Sequence, residues 1–166
     1  MFNIRTASPE DAAAIVAIDA VCFNAAEAAD PETVAKKMAG YNGHYWVIVD
    51  TEKDDKVVTY LNGFCTNKRD LLDEDMEHPE TAHDENGAWQ MFCGMATLPE
   101  YQGKGLAGKI MDHAIGLARK EGRKGVVLTC KDHLIPYYEK RFGYVLEGKA
   151  ESTHCGVEWK QMRLTF

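Results

Sequence analysis

The sequence predicts an α/β domain built on one mixed, twisted sheet of six to seven strands, flanked by about four helices. Three observations carry that expectation. Residues 89–130 read strand, glycine-rich turn, helix, strand, a βαβ unit that requires parallel strands and a crossover. Short apolar runs before and after that unit read as antiparallel hairpins. Two stretches of helical spacing lie between the first strand and the first hairpin.

The elements follow in order. Ile4 to Ala7 forms the first strand. Ser8-Pro9-Glu10-Asp11 starts a helix: Ser8 caps it, Pro9 suits its first turn, and the acids favour the positive end of its dipole. Ile15, Ile18 and Cys22 continue it at helical spacing. A second helix begins near Pro31, carries Val34 and Met38, and stops at Gly40. Tyr45 to Val49 and Val57 to Cys65 are strands joined by the polar turn Asp50 to Lys56. Asp70 to Glu85, rich in Asp and Glu, reads as a solvated mobile loop. Trp89 to Leu98 is the next strand, and alternation puts Trp89, Met91, Cys93 and Met95 on one face. A helix from Gly103 or Lys104 carries Leu106, Ile110, His113, Ala114, Leu117 and Ala118 on one stripe and ends at Gly122. Val126 to Cys130 is a buried strand, and Ile135 to Arg141 a short helix. Strands at Tyr144 to Leu146 and Glu158 to Phe166 close the order.

Composition narrows the function classes. A chain of 166 residues makes one domain, 1–166, with room for a real core. No apolar run approaches ~18 residues, and Met1 to Thr6 lacks a signal-peptide pattern, so a cytoplasmic protein is expected. The five cysteines are odd in number and contain no C-x-x-C pair, which predicts buried thiols rather than a disulfide framework or a zinc site. No metal is expected. The net charge of −7 argues against nucleic-acid or anionic-membrane partners and is compatible with a cationic substrate.

The most informative stretch is Tyr101-Gln102-Gly103-Lys104-Gly105-Leu106-Ala107-Gly108, at the helix start. Amides in such a turn point outward, and the helix dipole adds positive charge, so it suits a phosphate or pyrophosphate. Gly103-x-Gly105-x-x-Gly108 spells the dinucleotide fingerprint. Gln102-x-x-Gly105-x-Ala107 spells the Q/R-x-x-G-x-G/A loop of acyl-CoA-dependent N-acetyltransferases. A dinucleotide loop follows its strand directly and opens a doubly wound domain. Here Pro99-Glu100-Tyr101-Gln102 intervenes and a second mononucleotide half is missing, although Asp132 lies where a ribose-binding acid could sit. The acyl-CoA reading is therefore preferred.

Met95-Ala96-Thr97-Leu98-Pro99-Glu100-Tyr101-Gln102-Gly103-Lys104-Gly105 resembles motif A of the GCN5-related N-acetyltransferase (GNAT) superfamily. Leu128 to Glu139 resembles the strand and helix of its serotonin (arylalkylamine) N-acetyltransferase-like branch. The resemblance spans nearly the whole chain. It implies a single-domain GNAT fold in which strand 4 carries a bulge and splays from strand 5, leaving a V-shaped cleft. It implies that acetyl-CoA is the co-substrate, with its pantetheine arm along Met95, Ala96 and Thr97. Its pyrophosphate would lie on the amides of Gln102, Gly103, Lys104, Gly105, Leu106, Ala107 and Gly108, with charge from Lys104 and Lys109. Thr129 would face the substrate. Homodimers are common in the superfamily.

The implied reaction is acetyl transfer from a thioester to a primary amine. An alkylammonium, with a pKa of ~10, must lose a proton before it attacks. An acid must then protonate the leaving thiolate. Tyr138 matches the family's tyrosine acid, but one extra residue before Gly143-Tyr144 makes Tyr137 its competitor. The arylalkylamine branch carries two strand-four histidines where this chain has Met91 and Cys93. Candidate bases are then Glu27, His133 and His154, with bulk water as a further proton acceptor. A small arylalkylamine or polyamine is the expected acceptor. The alternatives are a protein N-terminal or lysine acetyltransferase, and an acyl-CoA-binding module without turnover.

Overall fold

The computed structural model describes residues 1–152 and 156–166. A seven-stranded sheet runs in the order β1-β2-β3-β4-β5-β7-β6. The strands are β1 Phe2–Thr6, β2 Tyr45–Asp50, β3 Lys56–Thr66, β4 Trp89–Thr97, β5 Gly125–Cys130, β6 Val145–Lys149 and β7 Lys160–Thr165. β4 and β5 are parallel and every other neighbouring pair is antiparallel, as the single βαβ unit requires. The flanking helices are α1 Ala12–Cys22, α2 Pro31–Gly40, α3 Asp73–Glu77, α4 Pro79–Ala82, α5 Leu106–Lys120 and α6 Ile135–Phe142. α5 packs on β2, β3, β4 and β5, and α1 packs on β3 and β4. No helix among the described residues is long and apolar enough to cross a membrane.

Local chemistry explains the helix starts. Asp30 accepts the Thr33 amide at 2.7 Å and Pro31 opens α2. Pro9–Asp11 forms a 3₁₀ turn before α1, so the helix proper begins later than Ser8-Pro9 predicts. Asp11 anchors that turn: it accepts the Ser8 amide at 2.8 Å and both Arg5 guanidinium nitrogens at 2.7 and 2.9 Å. Burial alone would raise the Asp11 carboxyl, but Arg5 and Ser8 outweigh it and hold the group below its ordinary range. A carboxyl depressed in the folded state stabilises the fold above its unfolded pKa, and that stabilisation is lost as pH falls through the folded value. Denaturant midpoints should therefore be flat above pH ~4 and decline below it. Asp11→Ala should cost ~1–2 kcal/mol at neutral pH and shrink the decline, as urea melts across pH will measure.

Two expectations change. The acidic segment 70–85 is not a solvated loop: it forms α3 and α4. Leu71 is buried, its amide donates to Gln161 at 3.0 Å, and Lys68 pairs with Asp75 at 2.9 Å. The acids sit in first turns, where the helix dipole favours them, and the apolar Leu71 and Met76 tie the segment to the core. The second change is in β4. Asn62 pairs with Gly94 but Gly63 pairs with Phe92, so Cys93 is an extra residue, a β-bulge. A one-residue insertion flips the faces beyond it. Met95 therefore falls on the opposite face from Trp89 and Met91, and the expected four-residue stripe breaks at Cys93.

Candidate active site

The bulge opens the site. β4 and β5 pair from Trp89–Gly125 to Phe92–Leu128 and no further. Both strands continue: β4 stays on β3 as far as Thr97, and β5 stays on β7 as far as Cys130. Beyond Phe92 their facing edges have no strand partner among the described residues, and a cavity of about 810 Å³ occupies the gap. Cys93, Gly94 and Met95 line it from β4, and Leu128, Thr129 and Cys130 from β5. The bend at Cys93 is the physical cause, because a bulge kinks its strand and increases local twist.

Tyr138 of α6 reaches the same cavity and is 7% exposed, whereas Tyr137 is 38% exposed and does not line it. The extra residue is absorbed at the end of α6. Gly143 adopts φ +83°, its amide bonds Glu139 O at 3.1 Å, and Tyr144 N–H bonds Tyr138 O at 3.3 Å. This left-handed cap ends the helix without turning Tyr138 away. Burial pushes the Tyr138 phenol well above its usual range, so it stays protonated.

The glycine turn precedes α5 directly. Gly103 and Gly105 sit at φ +79° and +78°, a region that L side chains rarely adopt. Amides 103–108 have no backbone partner among the described residues, and the first to bond is Lys109, to Gly105 O at 3.1 Å. Gln102 departs from the expectation. Its amide bonds Pro99 O at 3.2 Å and its side chain donates to Thr97 O at 3.1 Å, so Gln102 braces the turn against β4. Lys104 and Lys109 are exposed. Gly108 is buried under Arg141, whose guanidinium would lie 3.1 Å from an added Cβ.

A strand-edge cleft and a free-amide turn share one βαβ unit, and the helix that follows it, α6, adds a buried tyrosine. The acetyltransferase (GNAT) family model matches residues 12–144. The chain belongs to the GNAT acetyltransferase family. No curated protein matches the sequence. Solved structures share the GNAT fold at low identity. The loading GNATL domain of CurA from Lyngbya majuscula has a TM-score of 0.82 at 14% identity, covering 99% of this chain and 98% of that one. Ard1 from Thermoplasma volcanium has a TM-score of 0.75 at 16% identity, covering 99% and 97%. A GNAT acetyltransferase from Brucella melitensis, in complex with acetyl-CoA, has a TM-score of 0.62 at 21% identity, covering 100% and 88%.

Within this GNAT cleft the base candidates separate. Glu27 lines the cavity and pairs with Lys131 at 3.1 Å. His133 lines it too and is exposed. His154 lies outside the described residues. Of the β4 positions, Met95 lines the cavity; Ala96 is buried, and Thr97 O is already engaged by Gln102 and by the Cys22 thiol at 3.2 Å. The GNAT cavity also holds residues that sequence reasoning passed over. Asp19 of α1 is 4% exposed; it accepts the Tyr60 hydroxyl and, at 3.0 Å, the Ala29 amide. Asn62 is 2% exposed, and its Oδ1 has no partner among the described residues. Asp19 falls on the stripe of Ile15, Ile18 and Cys22, and an acid on an apolar stripe was the available signal.

Proposed function

We propose that this GNAT protein transfers the acetyl group of acetyl-CoA to a primary amine, with a small arylalkylamine or polyamine as acceptor. One observation carries the reading: an unpaired strand edge on β4 faces Tyr138 across the cavity. Met95 and Ala96 hold the pantetheine arm along that edge, and the free amides from Gly103 to Gly108 hold the pyrophosphate. Acetyl-CoA supplies the thioester. The amine loses its proton through water to Glu27 or His133, attacks the carbonyl carbon, and charge gathers on the carbonyl oxygen within reach of a β4 amide. As the C–S bond breaks, Tyr138 gives its proton to the sulfur.

The acceptor class follows from the cavity walls. Asp19, Glu27, Asp73 and Glu77 supply carboxylates against Lys36, Lys37 and Lys131, a small acidic excess, and Asn62 Oδ1 is a spare acceptor for an ammonium. Phe23, Tyr45, Tyr60 and Trp159 provide aromatic surface for an aryl or alkyl chain. A thiol-release assay with acetyl-CoA and a panel of amines and peptides tests this. Turnover greatest with small cationic amines is the expected result. Preference for peptides would make it a protein N-terminal or lysine acetyltransferase. CoA binding without turnover on any amine would make it a binding module.

A further inference from the structure

A second cluster of reactive side chains lies outside the cavity and has no part in acyl transfer. His44 precedes β2, Cys65 is the penultimate residue of β3, and His83 follows α4. One donor atom from each falls within 4.8 Å of the others. The Cys65 side chain is fully buried, and the two imidazoles are 8% and 7% exposed. We propose that His44, Cys65 and His83 bind one thiophilic divalent cation, Zn²⁺ being the best match, with Gln90 Oε1 as fourth donor.

The donor geometry supports this. Cys65 Sγ lies 3.7 Å from His44 Nδ1, and a tetrahedral zinc site with ordinary bond lengths separates sulfur and nitrogen by ~3.5 Å. Gln90 Oε1 is 3.3 Å from Cys65 Sγ and 2.7 Å from His44 Nδ1. Its amide orientation is fixed, because Gln90 Nε2 donates to Phe64 O at 3.3 Å and Met91 O at 2.9 Å. Binding parts His44 Nδ1 from Gln90 Oε1, moves the His44 ring proton to Nε2 beside Glu85, releases the Cys65 amide from His83 Nδ1, and draws in donor atoms that now lie within 4.8 Å of one another.

The surrounding contacts match what metal-ligating histidines require. Such a histidine donates its other ring N–H to a carboxylate, which fixes its tautomer. Glu85 Oε2 lies 2.6 Å from His83 Nε2 and 3.3 Å from His44 Nε2, so one carboxylate serves both rings. His83 Nδ1 accepts the Cys65 amide at 3.0 Å, so it carries no proton and its lone pair exchanges that amide for the ion on binding. Arg123, 3.7 Å from Glu85 and 2.9 Å from Glu121, balances the acid charge. Only a thiolate ligates, so binding displaces the Cys65 proton and weakens as pH falls. Glu85 is 54% exposed and marks the way in. An ion there ties the end of segment 70–85 to β2 and β3, and that segment supplies Asp73, Met76 and Glu77 to the cavity wall.

The full chain, freed of metal by chelation, is titrated with Co²⁺. One equivalent should give a thiolate-to-cobalt charge-transfer band with tetrahedral ligand-field bands, and Zn²⁺ should displace it and raise the melting temperature. Cys65→Ser should remove the band, and Glu85→Gln should weaken Zn²⁺ binding ~10- to 100-fold. If Cys65→Ser fails to fold, alkylation of the wild-type chain replaces it: Zn²⁺ should protect Cys65 from the reagent, as peptide mass spectrometry reads. No band in the wild-type chain, a band that survives Cys65→Ser, or alkylation of Cys65 at an unchanged rate would each overturn the site. All of these readouts are independent of acetyl transfer.

Discussion

Replacing Tyr138 by Phe should lower kcat by ~10²-fold or more, with the KM for acetyl-CoA near its wild-type value. The leaving group of the reaction is a thiolate, and it departs faster when a proton arrives as the C–S bond breaks. Tyr138 is positioned to bring that proton. It lines the cavity and is 7% exposed. Because burial drives its phenol above the usual range, it keeps the proton at every working pH and should add no alkaline fall to the rate profile. The Phe variant retains the ring contacts to Tyr137, Phe142 and Tyr144 at 5.2, 6.1 and 5.7 Å, so α6 should stay in place. Tyr137→Phe is the control: half exposed and off the cavity, it should leave kcat unchanged. A wild-type kcat in Tyr138→Phe would remove the acid assignment.

How far the sequence discloses the site depends on whether a feature is local. The glycine turn is local. Its conformation follows from Gly103 and Gly105, and its place before α5 follows from the apolar stripe behind it, so both are readable from residue order. The strand order is also legible, because one βαβ unit between hairpins leaves few arrangements. The family resemblance implies a bulge in β4, but its place at Cys93 is not legible. It exists only in the register between β3 and β4, and strand alternation has no term for an inserted residue. Yet that bulge separates β4 from β5 and makes the cleft. The walls are equally non-local. Asp19 meets Tyr60 across 41 positions, and Glu27 meets Lys131 across 104. His44, Cys65 and His83 have no motif spacing because three separate segments deliver them, so the cluster is invisible in residue order. The acidic run 70–85 was misjudged for a related reason. Its charge was read as solvation, while its few apolar residues, Leu71 above all, decide its packing.

The glycine turn supports the largest loss of all. Gly105→Val should reduce CoA affinity by ~10²- to 10⁴-fold in calorimetry. An added Cβ at residue 105 would meet nothing in the protein within 4 Å, so the substitution creates no internal clash. Its effect comes from two other sources. The position is held at φ +78°, which a β-branched residue resists, and relaxing that strain rotates the adjoining amides away from the ligand. The new side chain also stands where a phosphate must approach the backbone. Each amide–phosphate bond is charge-assisted and contributes ~1.5–3 kcal/mol, so losing two accounts for the expected range. Gly105→Asn separates the sources. Asn tolerates the left-handed region, so it should keep the turn and its melting temperature close to wild type while still crowding the ligand. Lost affinity in both variants, with folding intact in Asn, would assign the effect to the approach of the phosphate. Lost affinity in Val alone would assign it to the backbone. Wild-type affinity in both would remove the pyrophosphate from this turn, and CoA would have to be held by the β4 edge without it.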